Sequence, residues 1–473
     1  MRPCRFEWPL QRVVSAALKF VADQTKSVGP IALALIMVSI IPASSEVIDG
    51  GRYGQVRLAL PDRDIHGFVI YFSDGSGWNG DDDAAMSAIA HEGAVTVGVD
   101  TKSYMSAVAV SGKACDQLVG DAETLSRQLQ RLHPGSQYTF PIVAGHGEGG
   151  TLAYVVLTQA PANTLAGAAS LDPTTDLWSG IPLCRGSDAK LVAPGRYRYG
   201  PKKVLDGFFA IGLGGGLSAD VKDYVADLVK AGAPVELQNM TAEARAEDIA
   251  YLIAPHLHLA ESVGVAALPL IEMPAKPSSK LMAVVLAGDG GWRDVDKAIA
   301  EALQERGVSV VGWDSLKYFW REKSPAQTAA DLTATVDEYS RKWGADKVAL
   351  IGYSFGADVL PIVYDLLPEA VKQKIVLMTF LGLESKADWE ITVSGWLGEH
   401  PSDRATYIAP ALAAMPVGLV QCFYGVEEPE SACPTLAPDQ AELIKTSGGH
   451  HFGHDVDGVV DKIMAGFHKR AGT

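Results

Sequence analysis

A chain of 473 residues is longer than one typical hydrophobic core, so two or three domains are expected. Hydrophobic residues make up 48% of the chain and charged residues 20%, a balance typical of globular rather than disordered proteins. The formal net charge of −16 argues against a nucleic-acid partner, because binding to phosphates needs a basic surface.

The first 45 residues follow the pattern of a secretory signal. Basic residues are spread over positions 2–26, an apolar run occupies 31–41, and small residues follow at Ala43 and Ser45. The apolar run is shorter than the ~20 residues that a membrane-spanning helix needs, and an uncleaved anchor is the alternative. We therefore predict an exported protein whose signal peptide covers residues 1–45.

Two parts of the mature chain repeat one sequence pattern. HGFVIYFSDGSGW (66–78) matches KLMAVVLAGDGGW (280–292), and GAVTVGVDTKSY (93–104) matches GVSVVGWDSLKY (307–318) without a gap. Helix-like runs follow in both parts, and then AGHGEGG and IGYSFGA occupy corresponding places. Because the matches occur in one order, we predict an internal duplication.

A proline- and serine-rich segment, 267–280, divides the two parts, and its composition is typical of a linker. We predict an N-terminal half at 46–266 and a C-terminal half at 281–473. In each half, β-branched apolar runs alternate with amphipathic helical runs, which indicates a mainly parallel sheet flanked by helices. Strands are predicted near 281–286, 307–312, 347–351, 375–381 and 417–424, and helices near 293–306, 325–343, 356–367 and 457–468.

The segment AGDGGW (287–292), which we call the glycine turn, follows the first strand of the C-terminal half. Gly290 and Gly291 let the backbone approach a bound oxygen closely, so the turn is predicted to supply an oxyanion donor. Asp289 has two interpretations, a contact to a substrate ammonium or a brace for its own loop.

The next predicted strand is followed by DSLKYFW (314–320), which faces the same edge of the sheet. Asp314 and Tyr318 are therefore candidates for substrate binding, with the neighbouring aromatic residues lining a pocket. Ordinary core packing is the alternative.

Gly352-Tyr353-Ser354-Phe355-Gly356 is a G-x-S-x-G sequence between a predicted strand and a predicted helix. In that context the turn lifts the serine hydroxyl above the sheet, and the N–H of the following residue becomes an oxyanion donor. We predict Ser354 as a nucleophile, Phe355 N–H as a donor and Tyr353 as a substrate contact. A serine that only caps the helix is the alternative.

The acid of a catalytic triad is expected after the strand PVGLVQCFYG, because the triad follows the chain order Ser, acid, His in this kind of fold. Glu427, Glu428 and Glu430 follow that strand, and Glu428 lies three residues beyond Gly425. Glu428 is predicted as the acid, with Glu427 second and Asp388 more distant.

SGGHHFGHD, near the end of the chain, contains His450, His451 and His454. A histidine on a glycine-rich loop after the last strand suits the base that activates a serine. We favour His451, because a small-small-x-His-aromatic pattern surrounds it. His450 stays open as the alternative, and His454 is weaker.

Beyond the predicted signal, the cysteines are Cys115, Cys184, Cys422 and Cys433. An even number permits two disulfides in an oxidising compartment. Cys422 and Cys433 bracket the loop that carries the glutamates and are predicted to pair, whereas a Cys115–Cys184 bond depends on the fold. No spacing of cysteine and histidine indicates zinc, and no metal or cofactor is predicted.

The N-terminal half has Gly147 where the C-terminal half has Ser354. Glycine has no hydroxyl, so this half is predicted to be a hydrolase-like domain without hydrolase activity. Its role would be binding, approach to a membrane surface, or stability. His256 and His258 echo the histidine loop, but core or surface positions are expected for them.

The motifs AGDGGWRDVDKAIAEAL, VALIGYSFGADVLP, FYGVEEPESACP and GGHHFGHD closely resemble the VirJ family of bacterial virulence proteins over almost all of 280–470. The two-domain length resembles the longer, AcvB-like form of that family. The resemblance implies tandem α/β-hydrolase-like domains, a periplasmic location and hydrolysis of lysyl-phosphatidylglycerol to lysine and phosphatidylglycerol. It places the family serine on Ser354 and the histidine on His450 or His451, and it leaves the acid among the glutamates.

The implied partner is an aminoacylated phospholipid at the membrane surface, and proteins of a secretion system are a further candidate. By itself, the sequence indicates a serine hydrolase of a small ester or amide. Two alternatives stay open. One is a general esterase, and the other is a periplasmic binding or chaperone factor of a type IV secretion system that keeps the hydrolase frame as a scaffold.

Overall fold

Two sheets of mostly parallel strands form the frame of the protein in the computed structural model. The structure describes residues 46–472 except 134, 136, 241–244, 258–263, 278 and 393–401. The predicted signal peptide, 1–45, and His258 lie outside the described residues. Within the described part of the chain, no helix is both long and apolar enough to cross a membrane.

The strands of the N-terminal half are β1 (Glu46–Asp49), β2 (Gln55–Ala59), β3 (Gly67–Phe72), β4 (Ala94–Val99), β5 (Ile142–His146), β6 (Gly167–Leu171), β7 (Leu177–Trp178), β8 (Ala189–Ala193), β9 (Arg196–Tyr199), β10 (Phe208–Leu213) and β11 (Glu236–Asn239). Its helices are α1 (Gly80–His91), α2 (Thr101–Ala109), α3 (Val119–Leu132), α4 (Glu148–Gln159), α5 (Ala219–Lys230) and α6 (Ile249–Ile253). Strands β7, β9 and β8 form a small antiparallel sheet beside the main one.

From residue 270 onward the strands are β12 (Leu270–Met273), β13 (Leu281–Leu286), β14 (Ser309–Trp313), β15 (Lys347–Tyr353), β16 (Ile375–Leu381), β17 (Lys386–Ala387), β18 (Thr406–Tyr407), β19 (Val420–Gly425) and β20 (Ala441–Thr446). The helices are α7 (Asp294–Glu305), α8 (Ser315–Tyr318), α9 (Pro325–Trp343), α10 (Phe355–Asp365), α11 (Glu369–Lys372), α12 (Ala409–Ala413) and α13 (Val456–Ala471).

The two main sheets share one topology, except that the first has an additional antiparallel strand, β1, at its edge. The first has the order β1-β2-β4-β3-β5-β6-β10-β11, and the second has the order β12-β14-β13-β15-β16-β19-β20. Apart from the antiparallel strands at one edge, β1 and β2 in the first sheet and β12 in the second, neighbouring strands are parallel. With a sharp turn into a helix after β5 and after β15, this is the arrangement of an α/β hydrolase. The predicted fold class, two tandem α/β-hydrolase-like domains of which the first lacks the serine, is confirmed.

The central strands are buried on both faces, as their continuous apolar runs predict. In β13, Met282 and Val284 pack in the cluster that contains α9 and α10. Ala283 and Val285 point the other way, into the cluster that contains α7 and α13. This alternation along the strand places one helical layer on each side of the sheet and directs the ends of the strands toward a common edge.

The segment 267–280 differs from the predicted linker. Leu270–Met273 form β12, which pairs antiparallel with β14. Leu270 packs against one core cluster, and Ile271 and Met273 pack against the other. Burial of these apolar side chains outweighs the proline-rich composition. Residues 45–473 form one compact unit that holds both sheets, and the predicted boundary between the halves stays a prediction.

Candidate active site

The turn after β15 has the geometry of a nucleophile elbow. Ser354 has φ 51° and ψ −122°, a conformation that is strained for a residue with a side chain. Its N–H donates to the carbonyl of Leu381 at the end of β16, at 2.8 Å. A Cβ on Gly352 would lie 2.4 Å from the Gly356 carbonyl oxygen, so neither side of the turn has room for a larger residue. The two glycines of the G-x-S-x-G sequence are therefore required, because the backbone segments on either side of Ser354 lie too close together for a side chain.

His450 and Glu428 form a hydrogen-bonded pair at the same edge of the sheet. His450 Nδ1 lies 2.6 Å from Glu428 Oε1, and the N–H of Gly425 donates to Glu428 Oε2 at 3.0 Å. Burial by itself raises the pKa of Glu428, but the hydrogen bonds from His450 and Gly425 lower it overall. Glu428 therefore stays ionised and fixes the orientation of the imidazole ring.

Gly382 connects this pair to the elbow. It follows Leu381, which accepts the hydrogen bond from Ser354 N–H. A Cβ on Gly382 would lie 2.6 Å from His450 Cε1 and 3.2 Å from Glu428 Oε1. The ends of β15 and β16 and the loop after β19 thus bring the serine and the histidine–glutamate pair to one place.

His451, which the sequence favours as the base, has a different partner. Its Nδ1 lies 3.0 Å from the hydroxyl of Tyr353, and its exposed ring stacks parallel to that of His454 at 5.9 Å. The Tyr353 hydroxyl also donates to the His450 carbonyl at 3.4 Å. The carboxylate partner that orients a base therefore belongs to His450, because the backbone turns the two rings in different directions.

The other candidate acids lie elsewhere. The side chains of Glu427 and Glu430 are exposed, and Glu427 N–H donates to the Gly448 carbonyl at 3.0 Å. Asp388 accepts a hydrogen bond from Ser402 N–H at 3.0 Å. Of the predicted acids, Glu428 is the one whose carboxylate contacts the histidine loop.

Replacing Glu428 by glutamine is expected to lower Tm near neutral pH and to change it little in acid. Because the pKa of Glu428 is lowered on folding, its ionised form adds stability that is present above the ordinary value of 4.5. That stability is lost as the pH falls through the lowered value. Thermal unfolding across this range measures the effect, with Glu430→Gln in the same loop as the control. A difference in Tm that is independent of pH would contradict the prediction.

The glycine turn lies directly against the elbow. A Cβ on Gly288 would lie 3.5 Å from Ser354 Cβ, so the start of the turn is in close contact with the serine. Gly291 has φ +82°, and its N–H donates to the Gly288 carbonyl at 3.1 Å. This hydrogen bond lies within the turn, so the N–H of Gly291 is not available to an oxyanion. Phe355 is the first residue of α10, where backbone N–H groups have no acceptor within the helix.

Asp314 and Tyr318 are not placed to contact a substrate. Asp314 is 3% exposed and accepts the Lys317 N–H at 3.2 Å as the cap of α8, and burial raises its pKa. Tyr318 is 4% exposed and donates its hydroxyl to Asp331 at 2.6 Å. Core packing, the alternative interpretation, describes both residues. Asp289 is partly exposed within the glycine turn, and Tyr353 is 8% exposed beneath the histidines.

Two buried carboxyl groups that sequence reasoning missed support these loops. Asp296 is 3% exposed and accepts a hydrogen bond from the N–H of Gly288, and burial raises its pKa well above the ordinary value. Asp358 accepts the Glu384 N–H at 2.7 Å, and burial raises its pKa in the same way. The first was detectable, because Asp82 stands 214 residues earlier, at the spacing of the repeat.

A cavity of about 390 Å³ lies beside His451, between the first turns of α7 and α13. Its walls are largely apolar, with Ile299 and Val459 among the lining residues. The exposed residues Asp294 and Asp455 also line it, and Asp455 Oδ1 accepts the Gly458 N–H at 3.0 Å as the cap of α13. The cavity therefore combines an aliphatic surface with negative charge.

The N-terminal half has the same elbow without a hydroxyl. Gly147 has φ 58° and ψ −126°, close to the angles of Ser354. Asp74 Oδ1 accepts the N–H of Glu148, the residue after the elbow, at 3.0 Å. Although burial raises the pKa of Asp74, hydrogen bonds from Glu148 and from neighbouring backbone N–H groups lower it overall. An ionised carboxylate thus accepts the hydrogen bond of the amide N–H that would otherwise bind an oxyanion.

Asp74 stands 214 residues before Gly288, so a glycine of the C-terminal half is replaced by an anion here. A Cβ on Gly147 would lie 2.1 Å from Asp74 Oδ1. The two differences from the C-terminal half are therefore coupled sterically: Gly147 leaves room for the Asp74 carboxylate, which takes the place of an oxyanion.

A serine introduced at Gly147 is expected to stay unreactive. The Asp74 carboxylate repels a developing oxyanion and clashes with the new Cβ, and Gly147→Ser is expected to lower Tm as well. Labelling with a fluorophosphonate, followed by peptide mapping, checks this, and Asp74→Gly combined with Gly147→Ser is the comparison in which the blocking carboxylate is removed. Labelling of the single variant at the rate of Ser354 would contradict the prediction.

Two disulfides are present, Cys422–Cys433 and Cys115–Cys184. The first closes the loop that carries Glu428, as its spacing predicts. Over residues 46–472, leaving aside the stretches that the structure does not describe, no group of three or more acidic, histidine or cysteine side chains is arranged to hold a metal ion.

Residues 280–471 match a family described as "Bacterial virulence protein (VirJ)". No curated protein matches the chain in sequence. Similar solved structures include an α/β serine hydrolase without a lid from Xanthomonas campestris, with 17% identity, a TM-score of 0.29, and coverage of 42% of this chain and 87% of that one. Est1E from Butyrivibrio proteoclasticus with bound ferulic acid has 13% identity and a TM-score of 0.32, over 44% of this chain and 96% of that one.

Proposed function

We propose that this chain, whose residues 280–471 form a VirJ-family domain, is a serine hydrolase that cleaves the aminoacyl ester of lysyl-phosphatidylglycerol. The family and the fold support a hydrolase. The observation that carries the proposal is the Glu428–His450 hydrogen bond at the strand edge where Ser354 stands in a strained elbow.

In the proposed reaction, His450 removes the proton from the Ser354 hydroxyl as its oxygen attacks the ester carbonyl of the lysyl group. The negative charge on the carbonyl oxygen is stabilised by backbone N–H groups of Phe355 and the glycine turn. His450 then gives the proton to the departing glycerol oxygen, which releases phosphatidylglycerol and leaves a lysyl ester on Ser354. Water activated by His450 hydrolyses that ester and releases lysine. Glu428 stabilises the imidazolium that forms in each step.

The charge and shape of the surroundings support a cationic aminoacyl group. Lysine combines a flexible four-carbon stem with an ammonium. The cavity beside His451 offers apolar walls for the stem and the carboxylates of Asp294 and Asp455 for the charge. Asp289 adds a further carboxylate in the glycine turn, and the net charge of −16 attracts cations to the protein.

The location and partners belong to the same proposal. A signal peptide at 1–45 would deliver the enzyme to the periplasm, where aminoacylated phospholipid is reached at the membrane surface and disulfides are stable. The consequence for the cell would be control of membrane lipid composition, and through it virulence.

The experiment compares vesicles containing lysyl-, alanyl- or unmodified phosphatidylglycerol, with released amino acid as the readout. Lysine release is expected, with alanine release at least about 10-fold slower, because the alanyl group lacks the four-carbon stem and the ε-ammonium at its end. Equal rates would indicate a general esterase. Absence of release, together with full function of Ser354→Ala in cells, would instead indicate a binding factor of a secretion system.

A further inference from the structure

We infer that the N-terminal half holds the glycine turn of the C-terminal half in its working position, with Asn163 and Glu123 as the positioning residues. This inference rests on the proposed function, since the turn matters to chemistry only if an oxyanion forms on a substrate bound to Ser354. It gives a catalytic purpose to a half that has no nucleophile.

Asn163 reaches the end of the glycine turn from the loop between α4 and β6. Its side-chain amide donates to the Trp292 carbonyl at 2.5 Å. Asn163 has φ 58°, so the backbone of this loop is bent to present the amide. Trp292 is 2% exposed, and its indole packs against Gly312, which fixes the carbonyl that receives the bond.

Glu123, on α3, binds the residue that follows the turn. Arg293 Nη1 lies 2.7 Å from Glu123 Oε1, and Arg127 on the same helix lies 3.2 Å from that oxygen. The side chains of Arg293 and Glu123 are 22% and 15% exposed, so solvent screens the pair only partly. Removing the Glu123 charge would leave Arg293 with the weaker pair to Asp294, at 3.8 Å, and would release its end of the turn from α3.

The turn needs such support because its own sequence is permissive. Glycines at 288, 290 and 291 impose little on the backbone, and the first of them is anchored from inside by Asp296. The bonds from Asn163 and Glu123 anchor the opposite end. Donors for an oxyanion act through their fixed position, and a displacement of about 1 Å can cost as much as 10²-fold in rate.

The rest of the contact between the halves is firm enough to transmit this position. Tyr138 of the N-terminal half is 1% exposed within the core cluster of the C-terminal half, with its ring 4.8 Å from that of Trp320. The Arg131 guanidinium lies 3.8 Å over the Trp320 ring and bonds to Glu390 at 2.9 Å. Arg321 donates to the Gly135 carbonyl at 2.7 Å, at a site separate from the turn.

The test uses the full chain with Asn163→Ala, Glu123→Gln and the double variant. We expect kcat for the lysyl ester to fall about 10-fold for each single change, with KM nearly unchanged, because oxyanion stabilisation is lost and ground-state binding is kept. The rate of inactivation by a fluorophosphonate, which forms a tetrahedral adduct, is expected to fall in parallel. Arg321→Ala is the matched control, since it breaks a bond between the halves without touching the turn.

Unchanged kcat and unchanged phosphonate inactivation in both single variants would overturn the inference, as would an effect confined to KM. An equal loss of kcat in Arg321→Ala would also overturn it, by showing a general effect of loosening the halves. These outcomes differ from failure of the proposed function. If Ser354→Ala keeps activity, the proposed function fails first, whereas an inactive Ser354→Ala beside fully active Asn163→Ala and Glu123→Gln removes the inference alone.

Discussion

Replacing Ser354 by alanine is expected to lower kcat for the aminoacyl ester by about 10⁴-fold or more, while the protein stays folded. The hydroxyl oxygen of Ser354 is the atom that would form the acyl-enzyme, and alanine has none. The small side chain keeps the turn intact, and alanine at φ 51° has the same backbone strain as serine. Release of amino acid from vesicles measures the loss, and Tm shows that the fold is kept.

The matched control for this change is Ser385→Ala. Ser385 is an exposed serine in the loop after β16, at the same edge of the sheet. It is expected to keep full activity and full labelling by a fluorophosphonate. Substantial hydrolysis by Ser354→Ala would exclude a serine mechanism, whatever the substrate.

The second large effect is a contrast between adjacent histidines. His450→Ala is expected to lower kcat about 10³- to 10⁴-fold, because a positioned general base is lost and Glu428 is left without its partner. His451→Ala is expected to stay within about 10-fold of the parent, since His451 bonds to the Tyr353 hydroxyl rather than to a carboxylate. Measuring kcat and KM for both variants under the same conditions checks the contrast.

Each of the two variants serves as the control for the other, because the residues share one loop. A large loss for His451→Ala with a small one for His450→Ala would assign the base to His451 and make the Glu428–His450 pair structural. A Tyr353→Phe variant separates the two cases further. It removes the hydroxyl that bonds to His451 and leaves His450 Nδ1 untouched.

The sequence predicted the nucleophile position well because the elbow is a local structure. Gly352 and Gly356 allow a close approach of backbone atoms within a few residues, so the motif and its geometry are coupled. The central strands were predictable for a similar reason: β13 is a continuous apolar run, and β16 is one interrupted only by Thr379, which matches burial on both faces. β20 was not predicted, because this edge strand has no continuous apolar run and its polar residues Glu442, Lys445 and Thr446 break any strict alternation.

The choice between the two histidines could not be made from the sequence. The two are adjacent, directly after Gly448 and Gly449, and the pattern around His451 is the more usual one. The decision depends on where Glu428 reaches after β19 and on the direction in which each ring leaves the loop. The direction of each ring depends on contacts between distant parts of the chain. The spacing of residues along one loop carries no information about those contacts.

The sequence also did not reveal that a side chain fills the oxyanion position of the N-terminal half. Asp74 is one acidic residue in a glycine-rich turn, and its residue type alone points to no role. Only the repeat shows that it stands where the other half has Gly288. The hydrogen bond from Glu148 N–H to Asp74 then shows that the carboxylate takes the place of an oxyanion.

Strand β12 determines where the chain can be divided. The family match begins at residue 280, so a fragment cut there would start after Leu270–Met273. β14 would then lose its antiparallel partner and present a row of unpaired N–H and C=O groups. An open edge of this kind is a template for pairing with another molecule, so self-association rather than altered chemistry would dominate the behaviour of that fragment. A stable fragment of the second half therefore has to begin ahead of Leu270.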